Sequence, residues 1–518
     1  MSDTSTSRTT RSARNAGASI VAQVVIVILG FVTRTVFISV LGVALLGVNS
    51  LLTSFLALLA IADLGINGAF MFALYEPLSK GDLKKTTAIV NYAGFIYRWI
   101  ALIVGVVGVA VVPFLQQLVR LDERVDYLEL YYLILLANTV ASYLMQNRLI
   151  LLNADQKIYL TKIYTVIMNV LRAAAQIVSL LIFEDFAVFL AIQVFFTIAT
   201  NLLIYIKVGK LYPNLKKYSD PIERAERRSI LNSTRALMVY RVGGLALNNS
   251  IPILISVLIG TVTLGYYSNY MLIIGSVVMV VEVVFSALTP SVGNLISQSE
   301  AHKGTARLVL NEIVLLSILI HGFLAVGFIA VIDDFVVVWL GDAFVLPIGV
   351  VIALVLNFYV TGMTMPLWSY RSATGLFRRT KYVIIITAVI SIPLSFLLES
   401  VLGLTGIVIA PVIARLVTSA WYEPWILIRD YLHGTVISYF AIQVGAFVLW
   451  GLLALLMLWA SSIISADPII SLGVKIVLSA LLSSIFGWLA FRKLEAFQSL
   501  ILRFRKIVRL ALSGLQKG

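Results

Sequence analysis

"ISVLGVALLG", residues Ile38–Gly47, returns at Ile255–Gly265 as "ISVLIGTVTLG". One residue is inserted in the second copy. In each copy a five-residue step joins two glycines, Gly42 to Gly47 and Gly260 to Gly265. Both copies sit where one long apolar run gives way to the next. Glycine there permits a tight turn and close approach of helices. The same turn, 218 residues later and at the same place in a run of helices, reads as duplication of a bundle.

The rest of the chain fits a bundle in a membrane. It has 518 residues, 60% hydrophobic and 12% charged, with a mean hydropathy of +1.00. Soluble domains are about 25% charged. A chain this apolar has no surface to offer water, so the expected class is an all-α polytopic membrane protein. Closed β-barrels are excluded, because the apolar runs are unbroken rather than alternating. With no cysteine, disulfides, thiol chemistry and cysteine metal sites are ruled out. Residues 1–15 are polar, and the run Gly17–Leu41 is too long for a signal-peptide core, so it reads as an uncleaved first span.

Fourteen spans are predicted, at roughly 17–41, 46–74, 88–112, 128–151, 160–182, 186–206, 236–258, 264–290, 308–332, 345–367, 382–402, 404–428, 436–460 and 469–490. With the N-terminus inside, 31 of the 39 lysines and arginines fall in inner segments, two in outer loops and six in spans. The outer loops carry acids instead, among them Asp122, Glu184, Asp333, Asp334 and Asp342. This asymmetry places both termini of a multi-pass membrane protein in the cytoplasm. It also accounts for the net charge of +14 without a nucleic-acid partner.

The basic inner stretch "KLYPNLKKYSDPIERAERRS" divides six spans from eight. An even number of spans per half leaves both halves with the same orientation. The expected organisation is a tail (1–15), an N-terminal lobe of spans 1–6 (16–209), a linker (210–231), a C-terminal lobe of spans 7–12 (232–430), two extra spans (431–490) and a basic amphipathic C-terminal helix (491–518). In that last helix Leu494, Phe497, Ile501, Phe504 and Val508 recur at helical spacing among arginines and lysines. The pattern suits a helix lying on the anionic inner leaflet.

Arg34, Arg98, Arg172, Arg241, Arg415 and Lys475 lie inside spans. Each costs ~2.5–3.5 kcal/mol near the bilayer centre, so something must compensate them. The span acids are Asp63, Glu282, Glu312 and Glu423, mostly toward span ends. Two readings stand: structural pairing, or a cationic cavity for an anion. Arginine's planar fork matches phosphate oxygens, so the five arginines are candidate substrate-binding residues, while Lys475, in the added spans, reads as peripheral. Asn248 and Asn249, beside Pro252, offer amides either to sugar hydroxyls or to a broken helical turn. Asp63 and Glu282 are ion-pair or ion-coupling candidates. His302, His321 and His433 are scattered and form no metal or catalytic cluster, and no phosphate-binding "GxxxxGK[ST]" loop occurs. No cofactor is expected.

The stretches "LGVALLGVNSLLTSFLALLAIADLGINGAFMFALYEPLSKGD", "YLMQNRLILLNADQKIYLTK", "LISVLIGTVTLGYYSNYMLI", "NFYVTGMTMPLWSYRSATGLFRRTKY" and "GLTGIVIAPVIARLVTSAWYEP" resemble the polysaccharide exporters of Gram-positive capsule and exopolysaccharide clusters. These belong to the multidrug/oligosaccharidyl-lipid/polysaccharide exporter superfamily. The resemblance spans roughly residues 15–435. It implies two six-helix lobes, alternating access, and a lipid-pyrophosphate-linked oligosaccharide as substrate. The chain departs from the pattern in the seventh span, where Ile251 and Pro252 replace an acid, and in the first, whose only charge is Arg34. A cation antiporter of the same fold would want acids there. A polysaccharide polymerase or ligase, the third class, would want a large outer loop, and the longest outer connection is only 113–127.

Overall fold

The computed structural model describes residues 3–60, 66–118, 125–216, 221–297, 303–374, 376–464, 467–503 and 505. Among these there are no strands. Backbone polar groups have no water to bond in hydrocarbon, so each crossing segment satisfies its own as a helix. The helices are α1 (Asp3–Leu59), α2 (Ile66–Lys80), α3 (Leu83–Val111), α4 (Leu115–Leu118), α5 (Leu128–Tyr143), α6 (Gln146–Ala154), α7 (Ile158–Phe183), α8 (Phe186–Leu211), α9 (Arg224–Leu258), α10 (Thr261–Ser297), α11 (Lys303–Leu340), α12 (Ile348–Thr374), α13 (Phe377–Thr380), α14 (Val383–Leu402), α15 (Leu404–Val417), α16 (Ser419–Trp425), α17 (Val436–Ile463) and α18 (Pro468–Phe491).

Twelve described helices are long and apolar enough to cross a bilayer, and α5 with α6, bent by 44°, makes a thirteenth. Gly42, at φ 81° and ψ 170°, is non-helical and divides α1 into two arms. A count of fourteen requires each arm to cross. Gly260, its counterpart in the second copy, also has positive φ, at 149°, between α9 and α10. Both copies therefore use their first glycine for a conformation that L side chains avoid.

The chain forms two compact units, residues 1–276 and 277–518, so the division falls inside α10. In the first unit α1 packs on α7 and α9, α5 and α7 both pack on α8, and α3 packs on α5 and α6. The second glycines of the two copies meet here. A Cβ on Gly47 would lie 1.8 Å from the Thr261 carbonyl oxygen, and one on Gly265 would lie 2.4 Å from that of Val43. The stretch expected as a linker is structured in its described parts. The end of α8 runs into a 3-10 turn at Pro213–Lys216, and α9 begins at Arg224. Near that start Glu226 pairs with Lys85 at 3.2 Å and Arg227 covers the Tyr92 ring at 5.0 Å.

In the second unit α11, the most buried span, packs against α12, α17 and α18, while α14 and α15 form an antiparallel pair with α15 on α12. Three charged residues sit where the sequence reading did not expect them. Asp334, assigned to an outer loop, lies within α11 and pairs with Lys475 at 2.7 Å. Arg371, assigned to an inner segment, is buried at the end of α12 and pairs with Glu423 at 2.6 Å. Arg148, also assigned inside, is buried in α6 under the Tyr205 ring. Hydropathy windows place span ends by average apolarity, and a helix that continues through paired charges escapes them. The C-terminal helix is described as far as Arg503, plus Arg505. Its Arg503 is half exposed, and pairs with Glu312 of α11 at 3.0 Å.

Candidate substrate-binding cavity

In the first unit α1, α7 and α8 enclose a cavity of about 270 Å³. Helical periodicity builds it. Asn169, Arg172, Ala173 and Gln176 stand at i, i+3, i+4 and i+7 on one face of α7. Thr33 and Arg34 come from the first arm of α1, Asn49 from the second beyond Gly42, and Gln193 from α8. Among the described residues no acidic side chain lines it.

The two arginines are held differently. Arg34 Nη1 donates to Ser268 Oγ at 3.0 Å and to Asn269 Oδ1 at 3.2 Å, both on α10 and both neutral. Arg172 Nε is buried and has no hydrogen-bond partner. Gln176 Nε2 donates to the Phe189 carbonyl at 3.1 Å, which fixes the wall between α7 and α8. Two guanidinium groups with no carboxylate beside them make a positive site, and an unbonded buried donor is costly unless something accepts from it. The arrangement can hold an anion, with the carboxamides of Asn49, Asn169 and Gln193 as neutral donors and acceptors around it.

The other predicted residues lie elsewhere. Arg98 is exposed on α3, its Nε turned back to the Gly94 carbonyl at 3.3 Å. Arg241 and Asn248 are exposed on α9. Asn249 Nδ2 donates to the Leu245 carbonyl at 3.0 Å, whereas the backbone bond that Pro252 lacks is to residue 248, so the Asn249 amide does not replace it. Arg415 is buried in the second unit, where Nη1 donates to Asn357 Oδ1 at 2.8 Å and to Thr361 Oγ1. Glu282 is exposed on α10, and Asp63 lies outside the described residues. Of the five arginines, then, Arg34 and Arg172 share this cavity, while Arg98, Arg241 and Arg415 do not line it.

His321 is buried in α11 and pinned rather than poised. Ser317 Oγ donates to the Gly362 carbonyl at 2.9 Å, and His321 Nδ1 lies within hydrogen-bond distance of both Ser317 Oγ, at 3.0 Å, and the Ser317 carbonyl, at 2.9 Å. Its Nε2 edge faces Gly362, where a Cβ would lie 2.4 Å away. Among the described residues no group of three or more side chains is placed to hold a metal ion.

Residues 12–296, more than half of the 518, match the family described as "Polysaccharide biosynthesis protein". The chain belongs to this family. No curated protein sequence matches it. Among solved structures, the polysaccharide biosynthesis protein is similar to the lipid II flippase MurJ in an inward closed conformation, with a TM-score of 0.64 and 14% identity over 92% of this chain and 99% of that one. It is also similar to an inward-facing multidrug resistance MATE family transporter of the MOP superfamily, with a TM-score of 0.59 and 14% identity over 78% of this chain and 95% of the other. A Vibrio cholerae MATE transporter gives a TM-score of 0.55 at 14% identity, covering 80% and 96%. At such identities the likeness is one of fold, and the fold is that of the exporter superfamily that the sequence resembles.

The arginines drew attention in the sequence because charge in a span is conspicuous. The carboxamides Asn169, Gln176 and Gln193 did not, although Asn169 and Gln176 flank Arg172 at helical spacing. That spacing was the available signal.

Proposed function

We propose that this polysaccharide biosynthesis protein is a flippase that moves a lipid-pyrophosphate-linked oligosaccharide from the inner to the outer leaflet for capsule or exopolysaccharide synthesis. The observation that carries this reading is the cavity holding Arg34 and Arg172, which no acid lines among the described residues. A pyrophosphate supplies acceptors for the Arg172 donor that the protein leaves unbonded. Family membership supplies the polysaccharide context.

In this reading two parallel six-helix lobes alternate access, with spans 13 and 14 outside that core and both termini in the cytoplasm. The shared behaviour of Gly42 with Gly260, and of Gly47 with Gly265, supports the duplication. Arg34 and Arg172 bind the phosphates. Arg415, bonded to Asn357 and Thr361, serves helix packing. Arg98, Arg241 and Asn248, exposed on their helices, are candidates for later steps of passage. We expect no covalent chemistry and no cofactor. An antiporter for a cationic drug is the second reading; it is disfavoured because the cavity offers that cargo two positive charges and no acid.

Deletion of the gene tests this directly. Lipid-linked oligosaccharide should accumulate on the cytoplasmic side. Unchanged export with a normal pool of lipid intermediates would sink the flippase reading.

A further inference from the structure

Three contacts fasten the C-terminal elements to one helix, α11. Near its N-terminal end the Glu312 carboxylate, 3% exposed, accepts from Ser499 Oγ at 2.5 Å and from Arg503 Nε at 3.0 Å, both on the C-terminal helix. Toward its other end Asp334 pairs with Lys475 at 2.7 Å and accepts from Ser471 Oγ at 2.8 Å, both on α18. Between them Trp450 of α17 fills a slot between two glycines: a Cβ on Gly322 of α11 would lie 2.1 Å from its Nε1, and one on Gly487 of α18 would lie 3.1 Å from its ring.

The spacing of these contacts matches the bilayer. Glu312 and Asp334 are about 33 Å apart along a helix rising 1.5 Å per residue, close to the ~30 Å hydrocarbon core. Each carboxylate thus sits near a membrane face, where a helix that tilts or slides would have to break its pair. Breaking it would strand a buried charge. Proline content points the same way. The long helix α11 contains no proline, whereas α12, α14 and α15 carry Pro366, Pro393 and Pro411 inside. Helices bend at such points.

We propose that α11, α17, α18 and the C-terminal helix form one rigid strut, clasped at three heights, and that conformational change in the second unit is taken up by the proline-bearing helices. The role of the two added spans and the tail is then to brace α11. Leu494 and Phe497 of the tail line cavities shared with apolar residues of α11, so the tail helix lies along the apolar face of α11 as well as being held by charge.

Two measurements test the strut. The first is a thermal double-mutant cycle on the full-length protein in detergent. Arg503→Ala, which takes the guanidinium from the buried Glu312 carboxylate, should lower the Tm by about 3–5 °C; Glu312→Gln, which leaves only a half-exposed guanidinium, should lower it by less; and the double variant should fall no further than Arg503→Ala alone. Additive losses would overturn the clasp. This arm needs no substrate, so its failure is distinct from failure of the flippase reading. The second rests on that reading. The native chain has no cysteine, so Glu312→Cys with Arg503→Cys, and separately Asp334→Cys with Lys475→Cys, can be bridged by a short bifunctional thiosulfonate. A static strut keeps at least half of its export when bridged. Export that is lost on bridging and restored by reduction would show that the elements part during the cycle, and would overturn the proposal. If a cysteine pair is inactive before bridging, the thermal cycle decides.

Discussion

Gly47 and Gly265 stand against each other's turns: where either would carry a Cβ, a backbone carbonyl oxygen of the opposite copy already sits, at 1.8 Å for Gly47 and 2.4 Å for Gly265. A flexible side chain could swing away from an added methyl, but a carbonyl in a helix cannot. Gly47→Ala and Gly265→Ala should therefore each destabilise the protein by about 1–3 kcal/mol or more. Gly275→Ala, in the same helix as Gly265 but with nothing within 4 Å, should be neutral or slightly stabilising. Thermal denaturation of the three variants in detergent checks the contrast. Equal Tm values would mean the seam is looser than the structure describes.

Buried arginines divide by partner, and stability should divide with them. Arg371 is paired with Glu423, both about 5% exposed. Glu423→Gln removes the carboxylate paired with this buried guanidinium and should cost ~3–5 kcal/mol. Arg172 has an unbonded Nε and no acid beside it in the cavity, so Arg172→Gln should leave the Tm unchanged or raise it. A large loss of stability on Arg172→Gln would show that Arg172 is a packing residue.

Lys475 reads as peripheral from its position in the added spans, and the structure changes the expectation for it. Its ammonium is buried against Asp334. Lys475→Ala should lower stability clearly. Lys475→Ala combined with Asp334→Ala should recover part of it, because removing both partners leaves no stranded charge. The check is the Tm of each single variant and the double.

Orientation is open to chemistry, since the chain has no native cysteine. A single cysteine at Asp342 should react with an impermeant thiol reagent on intact cells. Cysteines at Lys84 or Arg224 should react only after lysis. Labelling of Lys84→Cys on intact cells would reverse the fourteen-span register.

The class and the repeated glycine turn were legible in the sequence, because apolar run length and glycine spacing are one-dimensional signals; that the two turns pack on each other was not. Gly42 and Gly260 both take the positive φ that their shared place in the motif suggests. The cavity was only half legible. Charge in a span marks an arginine as unusual, but which arginines converge depends on helix rotation, and that is set by packing. Arg172 lines the cavity with α1 and α8 while Arg98, equally deep by position, is exposed on α3 and does not line it. The pairs Arg371–Glu423, Lys475–Asp334 and Arg503–Glu312 join residues 52 or more positions apart in sequence, and no local pattern announces them.

The central claim is that Arg34 and Arg172 hold the phosphates of a lipid-linked oligosaccharide, and one comparison tests it most directly. The deletion strain is complemented with the wild type, Arg34→Gln, Arg172→Gln, Arg172→Lys or Gly275→Ala at equal expression, and lipid-linked oligosaccharide reaching the outer leaflet is measured. The two glutamine variants should fall about tenfold or more, as the loss of a charge-assisted hydrogen bond implies. Arg172→Lys should be intermediate, a point charge replacing a fork, and Gly275→Ala should match the wild type. Wild-type export by both glutamine variants would contradict the account.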